Sequence, residues 1–116
     1  MDSNIPIYLQ ISQFLENEII NNRLAVDDKV PSTNEFSKSM NVNPATAGKG
    51  LNELVDQGIL YKKRGLGMFV TEEAKNIILN KRRDYFTKNL LPDFLSEAKQ
   101  LNISKEELIE MIRSEY

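Results

Sequence analysis

The run VPSTNEFSKSMNVNPATAGKGLNELVDQGILYKKRGLGMFV, residues 30–70, decides how this chain folds. Ser32 and Glu35 follow Pro31 as an S-x-x-E capping box, which predicts a helix from Thr33 with two orphan amide donors satisfied reciprocally. Phe36 and Met40 share its small apolar side, and Asn41 stands where the chain leaves the helix. Val42 anchors the turn, and Asn43-Pro44 starts a second helix: asparagine is a preferred N-cap, and proline at the first helical position gives up an N–H that had no partner. Ala47, Leu51, Leu54 and Val55 form the core stripe of this helix, which leaves Ala45, Thr46, Gly48, Lys49 and Asn52 on a short, polar outer side.

Gly58 reads as the residue that ends this helix. Ile59 to Lys62 and Met68 to Thr71 are β-branched and aromatic runs flanking Lys63-Arg64-Gly65-Leu66-Gly67, a hairpin with a charged tip. Gly65-x-Gly67 is a turn that needs positive φ, and no helix follows it that could make it a phosphate cradle. Two capped helices on a tight turn, then a basic hairpin, spell a winged helix-turn-helix, an architecture that usually binds DNA. A small-residue face near a helix N-terminus lets backbone approach phosphates and base edges in a major groove. Lys62, Lys63 and Arg64 beside that helix make a wing that would grip backbone or minor groove.

These motifs resemble the DNA-binding domain of the GntR family of bacterial transcriptional regulators, in which P-S-x-x-x-[LF] opens the second helix and G-x-G-x-F-V closes the wing. Ile5-Pro6-Ile7-Tyr8-Leu9-Gln10-Ile11 resembles the family's first-helix entrance, and the short helical tail after the wing resembles its YtrA-like subfamily. Many family members carry arginine at the positions of Asn34, Pro44 and Gly48, so contacts made by those arginines do not transfer. Leu66 stands where a basic wing residue is frequent. The resemblance places Ser32, Thr33, Asn34, Asn43, Ala45, Thr46, Lys49 and the wing from Lys62 to Gly67 (Lys62, Lys63, Arg64, Gly65, Leu66, Gly67) at the DNA.

Upstream, Ile7 to Asn21 reads as a packing helix with Tyr8, Ile11, Leu15 and Ile19 at helical spacing, and Asn22 to Lys29 as a polar connection. Asp27-Asp28 reads as a turn rather than a metal pair, because no further ligand lies at a completing distance. Downstream, a helical pattern runs from about Glu72 through Leu101, and Pro92 is expected to kink or split it. Ser104-Lys105-Glu106-Glu107 is a second capping box, opening a last helix with Leu108, Ile109, Met111 and Ile112. Arg82-Arg83 reads as a solvated face, and Glu106, Glu107 and Glu110 as favourable charge early in a helix. The division expected is a DNA-binding domain over residues 1–73 and a helical dimerisation region over 74–116. Its surface would comprise Ile78, Tyr85, Leu90, Phe94, Leu95, Leu101, Leu108 and Ile112, too many large apolar residues to bury against one another.

Composition sets limits on function. The 116 residues are 41% hydrophobic and contain neither cysteine nor histidine, which removes disulfides, thiol nucleophiles, the commonest general base and the commonest zinc ligand. No metal, cofactor or enzymatic activity is expected. The opening Met1-Asp2-Ser3-Asn4 lacks the regions of a signal peptide and no apolar run approaches a bilayer's span, so a cytoplasmic chain with no membrane partner is expected. The net charge of −2 runs against nucleic acid, but phosphate contacts need local cation density, and Lys49, Lys62, Lys63 and Arg64 would supply it. The reading is therefore mainly α with a small β-hairpin: a winged helix-turn-helix followed by a short α-helical dimerisation tail. Its partners would be operator DNA and a second copy of itself. The resemblance implies a repressor on an inverted-repeat operator, with a transporter operon among its targets. Two alternatives stay open: a regulator whose DNA binding answers to a small effector, and a winged helix used for protein contacts.

Overall fold

The structure, a computed structural model, describes residues 4–116; the reading of Met1, Asp2 and Ser3 lies outside the described residues. The elements are α1 (Ile7–Ile20), α2 (Thr33–Met40), α3 (Pro44–Asp56), β1 (Leu60–Lys63), β2 (Gly67–Val70), α4 (Ala74–Tyr85), a π-helical segment (Phe86–Leu90), α5 (Leu91–Gln100) and α6 (Lys105–Glu115). The protein is mainly helical with one antiparallel hairpin, in the winged helix-turn-helix order. It divides into two compact units, Met1–Asn80 and Lys81–Tyr116.

In the first unit, local chemistry starts and stops each helix of the central pair. The capping box of α2 is complete: Glu35 N–H donates to Ser32 Oγ at 3.1 Å, and Ser32 N–H donates to Glu35 Oε1 at 3.0 Å. Asn41 ends α2 in the left-handed region at φ 53°, a conformation asparagine tolerates better than most residues. Two residues later the Asn43 side chain caps α3, its Oδ1 accepting from Ala45 N–H at 2.7 Å. At the far end of α3, Gly58 at φ 79° closes a Schellman motif, with Gly58 N–H donating to Val55 and Ile59 N–H to Leu54. That bond draws Ile59 into the helix cap, so β1 begins one residue later than the apolar run predicts.

The core of this unit gathers Ile11, Leu15 and Ile19 from α1, Phe36 from α2, Ala47, Leu51 and Leu54 from α3, Leu60 and Val70 from the hairpin, and Ala74 and Ile78 from α4. Gly50 joins the buried side of α3 and Val55 is only partly buried, a small rotation of the expected stripe. Ile78 is fully buried here. It therefore corrects the expected dimer surface: the first turns of α4 face this core, and Ile78 has no area to offer another chain.

The polar connection before α2 takes on structure. Lys29 bridges Phe69 in antiparallel fashion, Val30 N–H donates to the Met68 carbonyl at 3.0 Å, and Val70 N–H donates to that of Asp28 at 3.1 Å. The hairpin thus gains a third short edge. Asp27 turns at φ 67° and accepts from the Tyr61 hydroxyl at 2.7 Å, while Asp28 Oδ2 accepts from Ala25 N–H at 2.8 Å. Both acids are engaged in shaping the turn.

In the second unit, helix continues unbroken through the π-helical segment into α5, where Pro92 lies in the first turn. Proline has no N–H for the carbonyl four residues back, and its ring crowds that carbonyl. Widening the preceding turn relieves the conflict: Leu91 N–H donates to the Phe86 carbonyl, five residues back. Pro92 therefore neither splits the helix nor ends it. Ser104 caps α6, its Oγ accepting from Glu107 N–H at 3.1 Å. Of the described residues in this unit only Ala98 is buried.

Candidate nucleic-acid interface

The α2–α3 pair and the hairpin bring all of the expected DNA residues to one unit, and three structural facts sort them. First, the outer side of α3 is open. Asn43, Ala45 and Lys49 are exposed and Thr46 is half-buried, so the first turn of the helix carries only short side chains before Lys49. Gly48 is half-buried, and a Cβ there would make ordinary contact with the Thr33 side chain at 3.7 Å. The oxygen of Asn43 is already engaged as the cap.

Second, the start of α2 and the base of the wing enclose a cleft of about 300 Å³. Ser32, Thr33 and Asn34 line one side, Gly67 and Met68 the other, with Lys29 at the rim. Gly67, at φ 120°, keeps this cleft narrow, since a Cβ there would sit 2.9 Å from Lys29 Cε. Lys29 was hidden in the expected loop. A lysine just before Val30-Pro31 carries the signature of a short edge strand, where lysine and proline commonly stand, and that signal could have found it.

Third, the wing cations do not form one cluster. The pairs Tyr61↔Phe69, Lys62↔Met68 and Lys63↔Gly67 fix the register, and side chains alternate along a strand, so Lys62 and Lys63 lie on opposite faces of the hairpin. Lys62 shares the face of Met68, which lines the cleft. Lys63 lies on the other face, its Nζ 4.9 Å from the centre of the Phe69 ring and 5.7 Å from that of Tyr61, two rings that stack on each other. Arg64 and Gly65 occupy the turn closed by Leu66 N–H on the Lys63 carbonyl at 2.9 Å, with Leu66 exposed at the tip.

Electrostatics favour an anion across this surface. Among the described residues no carboxylate pairs with Lys29, Lys49, Lys62, Lys63 or Arg64. Glu35 follows the cleft-lining run Ser32 to Asn34, and its hydrogen bonds from Ser32 backbone and hydroxyl, with Lys29 nearby, hold its carboxyl below the ordinary value. The Tyr61 hydroxyl is pushed up by its bond to Asp27.

Residues 7–70, spanning α1 to the end of the wing, match the model of "Bacterial regulatory proteins, gntR family". The chain belongs to the GntR family. Two relatives from Bacillus subtilis extend the match beyond the wing. The uncharacterized HTH-type transcriptional regulator YhcF is 34% identical over 97% of this chain and 91% of its own length. The HTH-type transcriptional repressor YtrA is 30% identical over 96% and 85%. Among solved structures, a GntR family transcriptional regulator from Listeria monocytogenes superposes with a TM-score of 0.75 at 33% identity, covering 98% of both chains. The AraR DNA-binding domain in complex with operator ORX1 matches 58% of this chain and 81% of its own, with a TM-score of 0.56 and 33% identity.

This GntR-family protein is a DNA-binding transcriptional regulator, not an enzyme. Among its described residues no helix is long and apolar enough to cross a membrane. Its tail carries what the winged helix does not need, a set of exposed apolar side chains. Tyr85, Leu90, Phe94, Leu95, Leu101 and Ile112 are exposed, and Leu108 is half-buried. Between α5 and α6 runs a groove of about 380 Å³, lined by Phe94, Ala98, Leu101 and Leu108 together with Glu97 and Glu115.

Proposed function

We propose that the protein is a cytoplasmic repressor that binds an inverted-repeat operator as a homodimer. One observation carries the reading: the exposed outer side of α3 lies in the same unit as a cleft and a wing whose cations form no ion pair with a carboxylate among the described residues. In this reading Asn43, Ala45, Thr46 and Lys49 enter a major groove. Ser32, Thr33 and Asn34 meet phosphate at the start of α2, where amide donors and the helix dipole favour an anion. The wing, from Lys62 through Arg64, Gly65 and Leu66 to Gly67, follows the adjacent backbone or minor groove, with Lys62 and Arg64 placed best for it.

The tail from residue 74 supplies the second half of the assembly. Tyr85, Leu90, Phe94, Leu95, Leu101, Leu108 and Ile112 would be covered by the same surface of another copy, since a two-fold pair buries one patch against itself. The repressor named YtrA supports the sign of regulation, and a transporter operon as target comes from resemblance to that group. An effector-controlled repressor is the second reading. It is favoured by the α5–α6 groove, whose volume falls within the range of small-molecule sites.

Selection of bound duplexes from a randomised library by the full chain tests the main reading. An inverted repeat is the expected product. Enrichment of a single half-site, or of none, overturns it.

A further inference from the structure

Helix α1 packs against α3, and one of its side chains reaches the outer edge of that helix. The route begins at Gly50. A Cβ there would lie 2.6 Å from the Tyr8 carbonyl oxygen, so only glycine lets the two helices meet at this point. Ser12 ties the crossing, its hydroxyl placed to donate to the Gly50 carbonyl at 2.7 Å and to the Tyr8 carbonyl at 3.2 Å. With the backbones held together, the Tyr8 ring comes to lie against the neighbour of Gly50: Lys49 Nζ sits 4.1 Å from its centroid. Tyr8 is half-buried and Lys49 exposed, and no carboxylate of the described residues competes for the ammonium group.

We infer that Tyr8 is a positioning residue for DNA binding, holding Lys49 through its ring in the orientation that meets a phosphate. The inference rests on reading the outer side of α3 as the DNA face. The negative face of an aromatic ring attracts an ammonium ion without using up its N–H donors, so those donors remain available to a phosphate on the open side. A lysine side chain that wanders must give up rotamers when it binds, and one already held gives up fewer. Tyr8 thus contributes through Lys49, and the ring rather than the hydroxyl carries the effect.

The test has one arm without DNA and one with it. In the free protein, ring current should move the Lys49 ε-methylene proton resonances upfield, in the unsubstituted chain and in Tyr8→Phe but not in Tyr8→Leu. Ordinary lysine shifts in the unsubstituted chain overturn the contact, whether or not Tyr8→Leu folds. For the second arm, the probe is a fluorescent duplex recovered by the full chain from a randomised library, titrated at several salt concentrations.

Tyr8→Phe should bind like the unsubstituted chain and Tyr8→Leu about 2- to 5-fold more weakly, the size of an exposed cation–π contact. The salt slope of Tyr8→Leu should stay unchanged because Lys49 keeps its charge, whereas Lys49→Gln should flatten it by about 0.9 log unit. In the Lys49→Gln background, Tyr8→Leu should cost nothing more. An equal loss in Tyr8→Phe, or a persisting loss in the Lys49→Gln background, overturns the inference. Failure of the unsubstituted chain to select any duplex overturns the DNA reading and this inference with it, whereas a selected duplex together with ordinary Lys49 shifts overturns the inference alone.

Discussion

Gly50 shows how much of this fold rests on a single absent methyl group. Its virtual Cβ meets backbone, not the end of a flexible side chain, so Gly50→Ala must push α1 and α3 apart. The expected cost is about 1–3 kcal/mol, the usual penalty for overpacking a tight core. Gly48→Ala is the contrasting case: its nearest neighbour lies at ordinary contact distance, 3.7 Å, and alanine favours helix by about 1 kcal/mol over glycine. Denaturant melts of the two variants should move in opposite directions, and equal destabilisation would contradict a close crossing at Gly50. Glu35 makes a second test at this scale. Its carboxyl is held below the ordinary 4.5 by the Ser32 bonds, so the charged form stabilises the fold above that pH, and the contribution is lost as pH falls through the depressed folded value. Glu35→Gln keeps an acceptor for Ser32 N–H but cannot titrate. Its stability should therefore change less than that of the unsubstituted chain as the solution is acidified, and an equal pH dependence would remove Glu35 from the linkage. Both caps of the helix pair were legible in the sequence because a capping box is a local spacing. Gly50 and Tyr8 were not, because the meaning of each depends on a residue of another helix.

At the scale of elements, the hairpin register divides what the sequence had grouped. K-K-R looks like one basic cluster, yet a strand turns alternate side chains to opposite faces, and the pairing Lys62↔Met68 decides which lysine faces the cleft. Lys62→Ala should therefore weaken DNA binding and lower the salt slope by about 0.9 log unit, the increment for one phosphate left unneutralised. Lys63→Ala, on the aromatic side, should change the slope less. Replacing Lys62, Lys63 and Arg64 together should flatten it further without unfolding the chain, because all three side chains are exposed. Fluorescence titrations at graded salt measure all of these, and a triple variant with unchanged affinity and slope would exclude the wing from the DNA. The alternation was available in the sequence once β1 had been recognised. The third edge at Lys29 was not, since its pairing partner Phe69 is distant in sequence. The π-helical turn before Pro92 was half legible: proline announces a conflict with the turn before it, but its presence alone does not choose between a break, a kink and a widened turn.

For the whole molecule, the question is where one folding unit ends and the assembly begins. Ala74 and Ile78 lie in the first unit's core, so a chain ending at Glu73 loses two packed side chains and should fold poorly. A chain ending at Asn80 keeps them. This longer truncation should melt cooperatively but sediment as a monomer, because it lacks Phe94, Leu95, Leu101 and Ile112, which the full chain exposes. A single winged helix makes few phosphate contacts, whereas two joined through the tails make the second half-site an intramolecular event. That gain is about 10² to 10⁴ in avidity when the spacing fits. The full chain should therefore sediment as a dimer at micromolar concentration and bind an inverted repeat about 10² to 10⁴ times more tightly than the chain ending at Asn80. Both should bind an isolated half-site alike. A full chain that sediments as a monomer and occupies its operator one copy per site would leave the exposed tail without the role assigned to it.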